Sequence, residues 1–477
     1  MRDQRAALIV LAFLSSIPAP AAAGSDEHRP PAIAVDVDAA GPPHKPSGGA
    51  AETAGLLGPA GPKDIACNGI RVQPGARLQE MAEAAGPGAA FCLQPGLYPA
   101  QHVSPLPSQS FTGLKGAVLD GRNGVRRAFD GTARDVVIRN LVIRNYTAGN
   151  QDAAVYAAHG RGWRVLDNEI CCNAGIGVSM GVGTVVSGNS IHHNAQSGYG
   201  TAMPGAPIVE NNEIAFNNHQ KKFDPAFEAG GGKITLSDGA VVRHNWVHDN
   251  QGPGIWSDID NTNYTAEWNL VENNCCGGIF HEISWTAAIR HNVVRNNSGD
   301  TCPGWLWCAG IIVAASGATE GAVIDIAFNT IVSDGATKGN GIALIQQARQ
   351  AGKFGTYLLR NISIHDNTID VSAGGSSGAV QDTGDLRIFS DRSIRMDRNI
   401  YIVGPNRSPF SWANETGGRD LMTAHGQELS GTFRWTADRP DTGPTRMRAC
   451  AKSGAAARPA AARSKWIDPW RPWRTDA

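Results

Sequence analysis

Two carboxylic acids occupy equivalent positions in consecutive repeats of this sequence. The segments GIWSDI at 254–259 and GIFHEI at 278–283 align without a gap, and Asp258 and Glu282 each follow a recurring Asn by 13 residues. Two carboxyl groups held close together can divide the cleavage of a glycosidic bond, one as nucleophile and the other as general acid/base. The alignment therefore indicates Asp258 and Glu282 as a candidate catalytic pair.

Alternation along a β-strand predicts which of these side chains face outward. If Ile255 and Ile259 point into a core, then Trp256, Asp258 and Asp260 point out. In the second segment Ile279 and Ile283 point in, whereas Phe280, Glu282 and Ser284 point out. Ser257 and His281 fall on the inward phase, so we expect them to be core residues.

The spacing of parallel strands predicts the mechanism that such a pair would use. Neighbouring strands lie about 4.8 Å apart, so two carboxyl groups in the same phase should be about 5 Å apart. Retaining glycosidases need about 5–5.5 Å and inverting ones about 6.5–9.5 Å. Two carboxylates this close do not both ionise readily, which raises one pKa and leaves one nucleophile and one protonated acid.

Other residues near the pair are candidates for binding substrate. Trp256 and Phe280 could form an apolar platform for a sugar ring, or they could simply stack on each other as a ladder. Lys233 lies 25 residues before Asp258, so we expect it one coil below, where a cation would keep the carboxylate ionised. Glu228 and Asp260 complete the predicted substrate-binding set.

A repeat of one solenoid turn would position these residues. An Asn recurs at spacings of mostly 21–24 residues, followed by alternating apolar and polar residues, a second Asn and a Gly-rich turn. The first Asn of each unit is Asn168, Asn189, Asn212, Asn245, Asn269 and Asn292, with weaker copies at Asn329, Asn361 and Asn399. A period in this range without Leu ladders predicts an all-β chain folded as a right-handed parallel β-helix.

Longer intervals and the two ends interrupt this pattern. Intervals of more than 30 residues predict insertions, the first at 218–232 and the second at 300–307, which could wall a groove. A short helix at 76–85 would cap the open end of a β-helix spanning 63–404, and 405–477 would be a C-terminal cap or tail.

The N-terminus has the features of an export signal. Two arginines, an apolar run and small residues up to position 23 predict a signal peptide, followed by a disordered linker at 24–62 and a secreted protein. The formal net charge of −1 gives no reason to expect nucleic acid or a membrane surface as partner. Nine cysteines allow pairs Cys67–Cys92 and Cys302–Cys308, and the odd count leaves at least one unpaired. No local Cys/His spacing indicates a metal site.

Three short motifs resemble the parallel β-helix β-xylosidase family of retaining glycoside hydrolases. They are EAG at 228–230 with Lys233, GIWSD at 254–258 and IFHE at 279–282, within about 70 of the 477 residues. The resemblance implies that Asp258 is the nucleophile and Glu282 the acid/base. After the Glu this chain has ISWT at 283–286 where the family has His-Gly-Pro, so xylose specificity does not carry over.

Other functions fit the same pattern. A polysaccharide lyase could use Lys233 as the base and hold Ca²⁺ with Asp258 and Asp260, whereas the hydrolase needs no cofactor. A C5-epimerase and a non-catalytic surface protein are further alternatives. If the protein is a hydrolase, a lyase or an epimerase, its predicted partner is a carbohydrate substrate.

Overall fold

The computed structural model describes residues 60–201, 203–298, 306–333, 339–390, 392–404 and 408–436. In these residues the chain winds through three long parallel sheets, which we name A, B and C, visiting each sheet once per coil. This confirms the predicted parallel β-helix.

The strands are as follows. Sheet A contains Ile70–Val72, Ala90–Leu93, Ser110–Gly113, Val137–Arg139, Arg164–Leu166, Val185–Ser187, Ile208–Glu210, Val241–Arg243, Tyr264–Glu267, Ala287–Arg290, Ile324–Ala327, Ile362–His365 and Ile394–Asp397. Sheet B contains Gly96–Pro99, Ala117–Asp120, Val142–Arg144, Glu169–Cys171, Ser190–His192, Glu213–Ala215, Trp246–His248, Leu270–Glu272, Val293–Arg295, Thr330–Val332, Thr368–Val371, Ile400–Val403 and Thr432–Trp435. Sheet C contains Phe129–Asp130, Ala153–Tyr156, Ile176–Ser179, Ser197–Thr201, Gly230–Ile234, Ile255–Asp258, Ile279–Glu282, Ala309–Ala314, Asn340–Gln346, Ser377–Gln381, Phe410–Trp412 and Glu415–Gly417, the last of which is antiparallel to its neighbour.

One apolar side chain per short strand fills the interior of the coil. In sheet B the inward column is a stack of fully buried aliphatic residues: Ile170, Ile191, Ile214, Val247, Val271, Val294, Ile331 and Ile369. A single three-residue strand buries too little apolar surface to be stable alone, so each coil depends on the coils above and below it. The register is therefore fixed from coil to coil, and this fixes the positions of the outward side chains.

Buried asparagine ladders hold the bends between the sheets. In the first ladder the Nδ2 group of Asn245 donates to Oδ1 of Asn269, and that of Asn269 donates to Asn292, each at 3.0 Å. After Asn329 the ladder continues to Asn367 and Asn399, so the prediction of Asn361 as a ladder member is wrong. Asn361 instead donates to the carbonyl of Ala318 at a different bend. The insertion between Asn329 and Asn367 shifted the apparent repeat.

The two described ends of the β-helix differ. The helix Leu78–Ala85 follows the first strand and buries Leu78 and Ala82 in the main core, which confirms the predicted N-terminal helix. At the other end the strand Thr432–Trp435 pairs with Ile400–Val403, so the β-helix continues beyond the predicted limit of 404. The 3-10 helix Leu386–Phe389 precedes the strand Ile394–Asp397, and the helix Arg419–Ala424 lies between the strands Glu415–Gly417 and Thr432–Trp435.

The cysteine predictions are tested in part. The disulfide Cys67–Cys92 is present as predicted. Cys171, Cys172 and Cys276 are free, in agreement with the expectation of unpaired thiols. Cys302, the signal peptide, nearly all of the predicted linker and 437–477 lie outside the described residues. In the described part of the chain no helix has the length and apolar character needed to cross a bilayer.

Candidate active site

Asp258 and Glu282 lie one above the other on the outer face of sheet C. Their strands pair in parallel with Asp258 opposite Glu282, which confirms the predicted alignment of the two acids. The two residues are only 5 % and 7 % exposed. The outward direction of their side chains had suggested an open surface, but this part of the face is covered. The cover consists of side chains on the outside of the coil, since the inward neighbours Ser257 and His281 occupy the interior.

Asp258 has one oxygen in an ion pair and one oxygen without a partner. Lys233 Nζ lies 2.6 Å from Asp258 Oδ2. Asp258 Oδ1 is buried and has no hydrogen-bond partner among the described residues. A buried carboxylate oxygen without a donor costs free energy unless a ligand supplies the missing contact. Asp258 therefore has one carboxyl oxygen held by Lys233 and one buried oxygen to which no described group donates.

Lys233 occupies the coil below, although not directly below Asp258. The register places Lys233 opposite Trp256, and its side chain reaches diagonally to the carboxylate. Its Nζ also donates to the carbonyl of Phe227 at 2.8 Å and lies 4.0 Å from the centroid of the Trp256 ring. Phe227 belongs to the predicted insertion at 218–232, so that insertion does contribute a wall to the site.

Glu282 is paired with an arginine that the sequence did not reveal. Arg349 Nη2 donates to Glu282 Oε1 at 2.6 Å, and Arg349 is the most exposed of the four charged groups at 36 % of its side chain. Arg349 follows the strand Asn340–Gln346 and precedes a two-stranded hairpin, Ala351–Gly352 and Gly355–Thr356. The only sequence signal for this contact was the long interval after Asn329, which indicated an insertion without indicating its path.

The environment of Glu282 favours its protonated form. Burial, followed by the negative charge of Asp258, raises the pKa of Glu282 from 4.5 to about 7. Arg349, Lys233 and the nearby Trp256 indole lower it by smaller amounts. Trp256 Nε1 is near enough to Glu282 to lower its pKa, but the two groups do not form a hydrogen bond. Trp256 Nε1 has no hydrogen-bond partner among the described residues. Glu282 is therefore a carboxyl group that is still partly protonated at neutral pH.

The two aromatic side chains do not form an open platform. Their ring centroids are 5.2 Å apart and their planes are 18° apart, as in the alternative of ladder stacking. The Lys233 ammonium covers Trp256, and Trp307 packs edge-on to Phe280. The structure therefore shows the ladder alternative, whereas a contact of Trp256 and Phe280 with a sugar ring stays a prediction. Both residues belong to a small cluster of buried apolar side chains that is separate from the main core.

Asp260 is directed toward the hairpin rather than beside Asp258. Its Oδ1 accepts from Trp285 Nε1 and from the Lys353 backbone N–H, each at 2.8 Å. Ile259 and Asp260 both have positive φ, so the strand ends at Asp258 and the predicted alternation stops there. Consequently, Ile259 is only partly buried, and the prediction of Ile259 as a core residue is wrong. A contact of Asp260 with substrate stays a prediction.

The equivalent bend in the next coil has the same effect. Ile283 has positive φ and is only partly buried, whereas Ser284 is fully buried, the reverse of the predicted facing. Before the bend the alternation holds, since Ser257 and His281 are fully buried and their Oγ and Nδ1 are 3.1 Å apart. Burial lowers the pKa of His281 to about 4, so this imidazole is a neutral structural group.

Glu228 lies in the same insertion as Phe227 but does not join the carboxyl pair. Its Oε2 accepts from Gln151 Nε2 at 3.2 Å, and its carbonyl accepts from Gln196 Nε2 at 3.0 Å. These bonds tie the insertion to two coils below it. In this structure Glu228 shapes the insertion, so a direct contact with substrate at the acids stays a prediction.

Comparisons with known proteins agree with the fold. Residues 153–331 match the family described as "Right handed beta helix region", and the chain is a right-handed parallel β-helix. No curated protein matches the chain.

Three solved structures that resemble this chain in fold have low sequence identity to it. The catalytic unit of a thermostable α-1,3-glucanase from Streptomyces thermodiastaticus is 13 % identical, with 83 % of this chain and 72 % of that chain covered and a TM-score of 0.47. The A-module of the mannuronan C-5 epimerase AlgE6 from Azotobacter vinelandii is 13 % identical, with 76 % and 93 % covered and a TM-score of 0.48. XylC in complex with xylose is 11 % identical, with 75 % and 82 % covered and a TM-score of 0.46.

Proposed function

We propose that this protein is an exported retaining glycoside hydrolase that acts on a polysaccharide or its oligosaccharides. The observation that carries the proposal is the pair of stacked acids, one held by a lysine and the other with a raised pKa. Asp258 is ion-paired through Oδ2, whereas the pKa of Glu282 is raised to about 7. Acids on adjacent coils are about 5 Å apart, which suits the retaining geometry. The N-terminal signal-like sequence supports export.

The reaction would proceed in two steps at one carbon. Asp258 Oδ1 attacks the anomeric carbon while Glu282 gives its proton to the leaving glycosidic oxygen, which yields a glycosyl ester on Asp258. Glu282, now a carboxylate, then takes a proton from water as that water attacks the same carbon and releases Asp258. Lys233 holds Oδ2 in place throughout, so that Oδ1 is the reacting oxygen.

The surroundings of Lys233 argue against the lyase alternative. A lyase base must be free to remove a proton from the substrate, whereas the Lys233 ammonium is bound to Asp258 and to the Phe227 carbonyl. Asp258 and Asp260, which would hold Ca²⁺ in a lyase, have different partners. Asp258 is bound to Lys233, whereas Asp260 accepts hydrogen bonds from Trp285 and Lys353.

Covalent labelling tests the proposal directly. The protein is incubated with a panel of activated 2-fluoro pentosides, hexosides and uronides, which trap a glycosyl ester, and the labelled peptide is mapped by mass spectrometry. We expect one label, on Asp258, that is absent from Asp258→Asn. The matched control is Asp325→Asn, because Asp325 is also a buried acid with a cation, Arg290, at 2.6 Å, but belongs to sheet A.

Two outcomes contradict the hydrolase. A label that survives in Asp258→Asn would place the nucleophile elsewhere. The absence of label across the panel, together with unsaturated products that absorb in the near ultraviolet from a uronate polymer, would establish a lyase instead.

A further inference from the structure

A second cluster of reactive side chains lies on the outer face of sheet B. The strands Glu169–Cys171 and Ser190–His192 pair in parallel, with Cys171 opposite His192. Ile170 and Ile191 fill the interior, so the alternating Glu169, Cys171 and His192 face outward. One ligand atom from each of these three lies within 4.8 Å of the other two.

The distances are close to those of a tetrahedral metal site. Cys171 Sγ is 3.9 Å and His192 Nε2 is 3.7 Å from Glu169 Oε1. Zinc bonds of about 2.0 Å to nitrogen or oxygen and about 2.3 Å to sulfur imply separations of about 3.3–3.5 Å between tetrahedral ligands. Small side-chain rotations would therefore bring the three atoms onto one ion.

Further potential ligands surround this cluster. Cys172 follows Cys171 in the chain and is also a free cysteine, and His193 Nδ1 lies 2.9 Å from His192 Nδ1. The ring of His219 packs against His193 at 4.9 Å, and His219 Nδ1 is buried without a hydrogen-bond partner among the described residues.

The charges around the cluster also permit a cation. Arg144 lies one coil below, opposite Cys171, but its guanidinium is bound to Asp120 at 3.0 Å. The Glu169 side chain is 34 % exposed, so the cluster is open on one side.

We propose that Glu169, Cys171 and His192 bind one Zn²⁺ ion that links two consecutive coils, with water in the fourth position. A thiolate, an imidazole and a carboxylate together suit zinc and neighbouring transition metals, whereas Ca²⁺ prefers oxygen ligands. Binding displaces the thiol proton of Cys171. The site belongs to sheet B and does not depend on the glycosidase proposal, which concerns sheet C.

Metal titration of the reduced, metal-free full chain tests this site. We expect one equivalent of Zn²⁺ to bind by calorimetry, and one equivalent of Co²⁺ to give a thiolate-to-metal absorption band. In Cys171→Ser and His192→Ala the affinity should fall on the order of 100-fold, and the band should be lost in Cys171→Ser. Cys276→Ser is the control, since Cys276 is also a free cysteine but lies outside the cluster, and its replacement should leave both signals unchanged.

Thermal stability gives a second readout. Because the ion binds only the folded coils, saturating Zn²⁺ should raise the melting temperature of the wild type and of Cys276→Ser but not of Cys171→Ser, and Ca²⁺ should have no effect. Circular dichroism of each metal-free variant verifies that it is folded. The absence of a cobalt–thiolate band in the reduced protein would refute the site, as would zinc binding that is equally tight in Cys171→Ser and His192→Ala.

Discussion

Arg349 Nη2 lies 2.6 Å from Glu282 Oε1, although 67 residues separate the two in sequence. The arginine comes from the insertion that follows the strand Asn340–Gln346, two coils above the acid in sheet C. It lowers the pKa of Glu282, whereas burial and Asp258 raise it. The insertion therefore adjusts the protonation of the proposed acid/base as well as covering it.

Glu282 should make the stability of the fold fall with rising pH. Its pKa is about 7 in the folded chain and 4.5 in the unfolded reference, so the folded state binds more protons between these values. The unfolding free energy contributed by this group therefore decreases as pH rises from about 4.5 to about 7. We expect Glu282→Gln to be more stable relative to wild type at pH 8 than at pH 5, measured by urea unfolding. An equal difference at both pH values would contradict the shifted pKa.

Arg349→Ala should move the alkaline limit of activity to higher pH. Removing the guanidinium removes a cation that favours ionised Glu282, so the pKa of Glu282 rises further. The limb of the kcat/KM profile that falls near pH 7 in the wild type should shift upward, with the reactive glycoside from the labelling panel as substrate. Arg398→Ala, at an exposed arginine paired with Asp366, is the control and should not move the limb. A profile that is identical in all three proteins would show that Arg349 does not act on Glu282.

The Asp260 carboxylate should fix the position of the hairpin that follows Arg349. Asp260→Ala removes the acceptor for Trp285 Nε1, on a fully buried side chain, and for the Lys353 N–H. We expect a loss of about 2 kcal/mol of stability and faster proteolysis within 347–357. Asp260→Asn keeps an acceptor oxygen and should change both much less. Equal effects of Ala and Asn would mean that charge, and not the hydrogen bonds, is what matters at this position.

The repeat predicted contacts within consecutive coils but not those made by insertions. Asp258 and Glu282 could be aligned because both follow a ladder Asn by the same number of residues, and the register preserves that alignment. Arg349 could not be found this way, because an insertion follows its own path. The facing of Asp260 failed for a local reason, since its positive φ ends the strand.

The cluster on sheet B escaped prediction for a related reason. Metal motifs are sought at short local spacings, whereas a solenoid makes residues one coil apart into neighbours. Cys171 and His192 are separated by one repeat and are paired in register. A search for Cys, His and acidic residues at the repeat spacing could have found them.

Lys233 should be needed to keep Asp258 buried as a charge. In Lys233→Met the Asp258 carboxylate loses its one ionic partner among the described residues, and its Oδ1 has none to begin with. Breaking a buried ion pair in this way should cost about 3 kcal/mol, measured by urea unfolding. Lys63→Met removes the more exposed pair with Asp167 and should cost less than about 1 kcal/mol. Comparable losses in the two variants would contradict a buried charge at Asp258.

Asp258→Asn should act on both of its neighbours, Lys233 and Glu282. In the Lys233→Met background it removes the uncompensated charge, so the double variant should be more stable than Lys233→Met alone. In the wild-type background it removes the negative charge that raises the pKa of Glu282, so this pKa should fall. In Asp258→Asn, the unfolding free energy should therefore stop falling at a pH below 7 as the pH is raised. Urea unfolding at a series of pH values measures this. If Asp258→Asn left that decline unchanged while Glu282→Gln abolished it, the two acids would not be electrostatically coupled, and the stacked pair could not divide nucleophile and acid/base between them.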